Sequence, residues 1–192
     1  MTSDDLVLHV TEPSLVVMIG AAGSGKTTLA ARLFGPDEIV SSDELRAVIS
    51  GDPGDQRATR PAFAMLHREV GRRLAAGRLV VVDATSIQRA ARLALLRVAA
   101  VSGVDAAAVV LALPDEVVRA RNEARVGRRV PADVVEEHLG KVARLFGSSD
   151  RLAHETLGAE GFATVFVVRS ENEVASLRLV RGPSLDASVS RP

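Results

Sequence analysis

Ser14-Leu-Val-Val-Met-Ile19 runs directly into Gly20-Ala-Ala-Gly-Ser-Gly-Lys26-Thr27, and this junction decides the fold. Ser14 leads a continuous apolar run, Leu15 to Ile19, and the segment is of strand length, which predicts a strand buried on both faces. The next eight match GxxxxGK[ST], the Walker A pattern, and Lys26 to Phe34 reads as a helix closed by Gly35-Pro36. Glycines let the backbone wrap so that successive N–H groups converge on phosphate oxygens. The following helix adds positive potential at its N-terminus. Gly20, Gly23, Ser24, Gly25, Lys26, Thr27 and Thr28 are therefore expected to cradle ATP, with the Thr27 hydroxyl on Mg²⁺. Of the 24 basic residues, 22 are Arg and only Lys26 and Lys141 are Lys. A lysine at position 26 of so arginine-biased a chain is informative, because a compact ammonium fits inside such a loop where a planar guanidinium does not.

On both sides of this junction, short β-branched runs alternate with helical patterns. Strands are expected at Glu38–Ser41, Leu79–Val82, Ala106–Leu113 and Thr164–Val168, with Leu6–Val10 as an edge strand. Helices are expected at Asp43–Ile49, Pro61–Ala75, Arg89–Val101, Asp115–Arg125, Asp133–Leu145 and about Glu171–Leu179. Apolar strands alternating with helices predict a three-layer α/β/α P-loop kinase fold with a parallel central sheet and a helical lid at about 121–131. Residues 1–181 read as a single domain and 182–192 as a disordered tail. Gly147 to Gly161 shows no clear pattern.

The 192 residues are 47% hydrophobic, enough for a real core, and cysteine is absent. Disulfides, thiolate metal sites and a cysteine nucleophile are thereby excluded. Net charge is zero, so any basic footprint is local. Aromatics make up 3%, with Phe34, Phe63, Phe146, Phe162 and Phe166 dispersed, which argues against a base-stacking platform. No apolar run spans a bilayer, and acidic Met1–Asp5 lacks a secretory pattern, so a cytoplasmic protein without membrane partners is expected. His9, His67, His138 and His154 are scattered and read as surface or packed residues. NKxD and LSGGQ motifs are missing, and the length is short for a motor core, which points to a small nucleotide-dependent kinase.

Three further segments carry chemistry. Ser41-Ser42-Asp43-Glu44-Leu45-Arg46 follows the second strand of the pattern, and ligands of parallel α/β sheets sit at strand carboxyl ends. Asp43 is a candidate general base for an acceptor hydroxyl. Arg46, one turn on, would hold an anionic group of the acceptor. The competing reading is an N-cap by Ser42 or Asp43, with Arg46 a solvated charge. Asp83 ends the strand Leu79-Val-Val-Val and resembles a Walker B acid on Mg²⁺, with a strand-end turn as the alternative. Arg119, Arg121, Arg125, Arg128 and Arg129 face one acid, Glu123, within eleven residues. Arg121, Arg125 and Arg128 share the spacing of one helix face and read as lid arginines on a transferring phosphoryl group, or as a solvated basic face.

The segments GAAGSGKTTLAARLFGPDEIVSSDELR, DQRATRPAFAMLHREVGRRLAAGRLVVVDATS and ALPDEVVRARNEARVGRRV together resemble the 5′-kinase domain of bacterial RNA-repair polynucleotide kinase-phosphatase, over roughly Leu15 to Leu179. The resemblance implies transfer of the ATP γ-phosphate to a polynucleotide 5′-hydroxyl of RNA or DNA. Lys26 and Thr27 would hold ATP and Mg²⁺, and Asp43 would be the base. Arg46 would contact the phosphate beside the terminal nucleoside, and Gln56 would lie near the acceptor. Arg121, Arg125 and Arg128 would bind ATP phosphates. It also implies repair phosphatase or ligase partners, on separate chains where the chain is a free-standing kinase rather than an excised domain; a homo-oligomer is compatible with it. Ser86 departs from the resemblance, standing where the family's DATN carries Asn. The chain stops at Pro192, where the family enzyme continues into further modules. The competing functions are a small-molecule or zeta-toxin-like kinase and a nucleotide-dependent switch.

Overall fold

The computed structural model describes residues 6–52, 54–126, 129–147 and 149–183, apart from the side chains of Gln56 and Pro183. The chain opens with strands β1 (Val7–Glu12) and β2 (Ser14–Gly20), then helix α1 (Lys26–Leu33), strand β3 (Ile39–Ser41) and helix α2 (Ser42–Ser50). A 3₁₀ turn at Gln56–Ala58 leads into α3 (Thr59–Ala75). Then follow β4 (Val80–Asp83), α4 (Arg89–Val101), β5 (Asp105–Leu111), α5 (Asp115–Glu123), α6 (Ala132–Phe146) and α7 (Asp150–Glu160). Strand β6 (Thr164–Val168), helix α8 (Glu171–Ser176) and strand β7 (Arg178–Pro183) complete the order.

Five strands form one parallel sheet in the order β3-β4-β2-β5-β6. Every residue of β2 is buried, as its apolar run requires. The two-residue period of a strand sorts that run onto two faces. Leu15, Val17 and Ile19 pack with Leu66, Val70 and Leu74 of α3, Leu95 of α4 and Leu157 of α7. Val16 and Met18 pack on the other side with Leu29 and Ala30 of α1, Val118 of α5 and Leu139 of α6. The result is a three-layer α/β/α fold with a central parallel sheet. Among the described residues no helix is long and apolar enough to cross a membrane.

The structure departs from the sequence reading at the ends. β1 is not an edge strand of the central sheet; it pairs in parallel with β7 in a separate two-stranded sheet. The last helix stops at Ser176, and Arg178–Pro183 is strand where a helix to Leu179 and an unstructured tail from Gly182 were expected. Residues 184–192, the remainder of that tail, lie outside the described residues, as do 127–128 within the expected lid. The patternless stretch after Gly147 is helix α7.

Candidate functional site

β4, which ends in Asp83, lies directly beside β2, which feeds the glycine loop; β3 lies beyond it, with Ser41 in register with Asp83. Three strand ends therefore bring the loop, Asp83 and the Asp43 turn together.

The loop is drawn tight against its surroundings. A Cβ on Gly20 would sit 2.8 Å from the Leu111 carbonyl oxygen and 2.9 Å from Ser24 Oγ, so only glycine fits. Gly25 caps α1 with φ 95°, in the left-handed region that side chains disfavour. The Gly20 N–H donates to the Thr85 carbonyl at 3.1 Å. Lys26 folds back into the loop, its Nζ donating to the Gly20 and Ala21 carbonyls at 3.0 and 2.7 Å. Burial lowers its pKa to about 8, against the attraction of Asp83 and Asp43 and with the help of nearby Arg125. A buried ammonium satisfied only by neutral carbonyls has a strong appetite for anionic oxygens. Ser24 Oγ is buried without a hydrogen-bond partner, a second unfilled polar demand in the same loop. Both features fit a polyphosphate. Thr28 is exposed on the first turn of α1.

Thr27 Oγ1 donates to Asp83 Oδ2 at 2.7 Å. Burial pushes the Asp83 carboxyl upward, opposed by the Thr27 hydrogen bond and the Lys26 charge. Among the described residues no cluster of three or more His, Cys, Asp or Glu could hold a metal by itself. A hydroxyl and a carboxylate beside a phosphate cradle fit Mg²⁺, which takes one or two protein oxygens and completes its shell with phosphates and water.

Asp43 lies in the first turn of α2, where a carboxylate also complements the helix dipole. The N-cap is Ser41, whose Oγ accepts from the Glu44 N–H. Neither Ser42 nor Asp43 is used as the cap, and the capping alternative for Asp43 is removed. Its carboxylate pairs with Arg46, itself buried rather than solvated. Asp43 is close enough to Lys26 and Asp83 for its charge to raise the pKa of both. A cavity of about 450 Å³ adjoins this turn between β3, α2 and α3, lined in part by Ser41, Glu44, Arg68 and Glu69. Gln56 opens the 3₁₀ turn ahead of α3; its side chain lies outside the described atoms.

Arg121 reaches the loop from α5, donating to the Ser24 carbonyl at 3.0 Å and pairing with Glu171 at 2.8 Å. Arg125 is exposed just past α5, and its charge acts on both Lys26 and Asp83. Arg128 lies outside the described residues. Arg119 turns elsewhere, held by Glu136 and Asp115.

Two contributors carry no local sequence signal. The Ala22 N–H in the loop donates to His138 Nδ1 on α6 at 3.3 Å. Behind Asp83, Ser86 adopts φ 46°. Fully buried Arg92 donates to the Ser86 and Ile87 carbonyls at 3.1 and 2.5 Å and makes a bidentate pair with Glu160 of α7, both contacts 2.7 Å. That pair clamps the turn whose Thr85 carbonyl anchors Gly20.

The fold and loop define a kinase-like P-loop domain. The AAA_33 family, described as an AAA domain, matches residues 15–148, and the chain belongs to that family. No curated protein matches it. Among solved structures it is similar to Chaetomium thermophilum Kti12 in complex with ADP-AlF3, at 20% identity over 84% of this chain and 93% of that one, TM-score 0.60. It is also similar to a chain of the Pnkp1/Rnl/Hen1 RNA repair complex, at 16% identity over 94% and 82%, TM-score 0.60. A sugar kinase from Janibacter sp. HTCC2649 aligns at 21% identity over 81% and 84%, TM-score 0.53.

Proposed function

We propose that this chain is an ATP-dependent kinase that transfers the γ-phosphate to the 5′-hydroxyl end of RNA or DNA in nucleic-acid repair. The observation that carries the reading is the Asp43 carboxylate, paired with Arg46 and acting electrostatically on Lys26 and Asp83 at the mouth of the glycine loop. A base there accepts the proton of the attacking hydroxyl as its oxygen bonds to the γ-phosphorus and the bond to the ADP oxygen breaks. Lys26, Arg121 and Arg125 supply positive charge to the phosphates, and Arg46 is suited to an acceptor phosphate. Thr27, with Asp83 beside it, would hold Mg²⁺, which would supply charge neutralisation to the transferring phosphate. The sequence resemblance and the likeness to a chain of an RNA repair complex support a polynucleotide acceptor.

A small hydroxyl compound is the second reading. It is favoured by the cavity of about 450 Å³ and mixed charge lined by Ser41 and Glu44, the sequence neighbours of the Ser42-Asp43 pair, and by the likeness to a sugar kinase. Labelled γ-phosphate from ATP is offered in parallel to 5′-hydroxyl oligoribonucleotides, oligodeoxynucleotides and a panel of sugars and nucleosides. Label on an oligonucleotide end, weakening with salt as phosphate contacts require, supports the proposal. Label on a small molecule alone overturns it in favour of the second reading.

A further inference from the structure

The amides at the start of a phosphate loop have no ladder to pair with, so something else must orient them. Here the Gly20 N–H is fixed by Thr85 and the Ser24 N–H by the Ala21 carbonyl at 3.2 Å. Between them, the Ala22 N–H is held by a side chain 116 residues away, the Nδ1 of His138. An imidazole nitrogen accepts a hydrogen bond only when it carries no proton, so this contact requires the neutral ring with its hydrogen on Nε2.

We propose that His138 is a positioning residue for nucleotide binding: its Nδ1 fixes the Ala22 peptide, and so sets the angle at which the loop presents its following N–H groups to the phosphates. The inference rests on reading the loop as a nucleotide site and is independent of the acceptor. Partial burial of the ring and the positive charge of Lys26 both disfavour the imidazolium, which keeps the acceptor available near neutrality. The charged groups facing the ring are Lys26 of α1 and, on α6 itself, Glu137 and Lys141, which pair with each other. Protonation would both release the Ala22 N–H and set a second cation beside Lys26.

The test is binding of fluorescent N-methylanthraniloyl-ADP with Mg²⁺ between pH 5.5 and 8, on wild type, His138→Ala and His138→Asn. Thermal unfolding of each confirms that it is folded. Asn presents an acceptor oxygen near the position of Nδ1 and does not titrate. At pH 7.5, His138→Ala should bind about tenfold more weakly, the scale of a lost buried hydrogen bond, and His138→Asn within about threefold of wild type. Wild-type affinity should fall as pH drops to 5.5, and the Asn curve should fall less. Should the Ala variant fail to fold, the Asn variant alone decides, through retained affinity and the flatter pH curve. Wild-type affinity in a folded His138→Ala, loss in Asn as deep as in Ala, or equal pH slopes in wild type and Asn would each overturn the proposal. No binding by the wild type at any pH would overturn the nucleotide reading itself, and this inference with it.

Discussion

Replacing Lys26 with Met removes a buried ammonium while keeping a linear side chain of similar length. Lys26 sits at about 8 instead of 10.5, chiefly because burial strips its water, with Asp83 and Asp43 opposing the shift. At about 1.4 kcal/mol per unit, holding the charged form in the fold costs about 3 kcal/mol. The folded value lies below the unfolded one, so the unfolded chain binds more protons between them and stability rises with pH. The cost is fully present below about pH 8 and is relieved as the pH climbs toward 10.5. Urea unfolding of wild type and Lys26→Met, without nucleotide, at pH 7 and about pH 10 reads the effect, since titrations not coupled to Lys26 cancel in the subtraction. Wild-type stability relative to the variant should rise by about 2–3 kcal/mol over that interval. At pH 7, saturating ATP with Mg²⁺ should stabilise the wild type and leave the variant almost unchanged. A flat or falling difference would mean that Lys26 is not desolvated against the loop carbonyls.

Two predictions concern the turn behind Asp83. Glu160→Ala leaves Arg92 buried without its counter-charge and should cost about 3–5 kcal/mol in chemical denaturation; a loss below about 1 kcal/mol would mean the pair carries little of the clamp. Ser86→Asn should raise stability by about 0.5–1 kcal/mol, because Asn tolerates the left-handed region better than Ser at φ 46°; an unchanged or lowered denaturation midpoint would contradict that.

The middle of the central sheet was legible because β2, β4 and β5 lie in continuous apolar runs closed by Gly20, Asp83 and Pro114. The loop was legible because its pattern is local, and the Asp83 strand because an acid closes an otherwise apolar run. Helix α7 was not, because it buries little more than Ala153 and Leu157 and carries Gly158 in its last turn. Its place depends on Glu160 meeting Arg92 and on Asp150 meeting Arg169, contacts that no local window contains. Strand β7 exists because it pairs with β1 at the other end of the chain. Its sequence RLVRGP is too short and too charged to announce a strand. His138 read as an ordinary packed or surface residue on a helical pattern, since nothing nearby in sequence marks its hydrogen bond to Ala22. The positive φ of Ser86 was not legible either, since the Arg92 guanidinium that donates to its carbonyl comes from the following helix.

The most direct test of Asp43 as the base is to measure, on Asp43→Asn, both nucleotide affinity and γ-phosphate transfer to whichever acceptor the wild type uses. Loss of the proton acceptor should lower turnover by about 10²–10⁴-fold while nucleotide affinity stays within about threefold of wild type. Transfer at the wild-type rate by Asp43→Asn would mean that Asp43 is not the base.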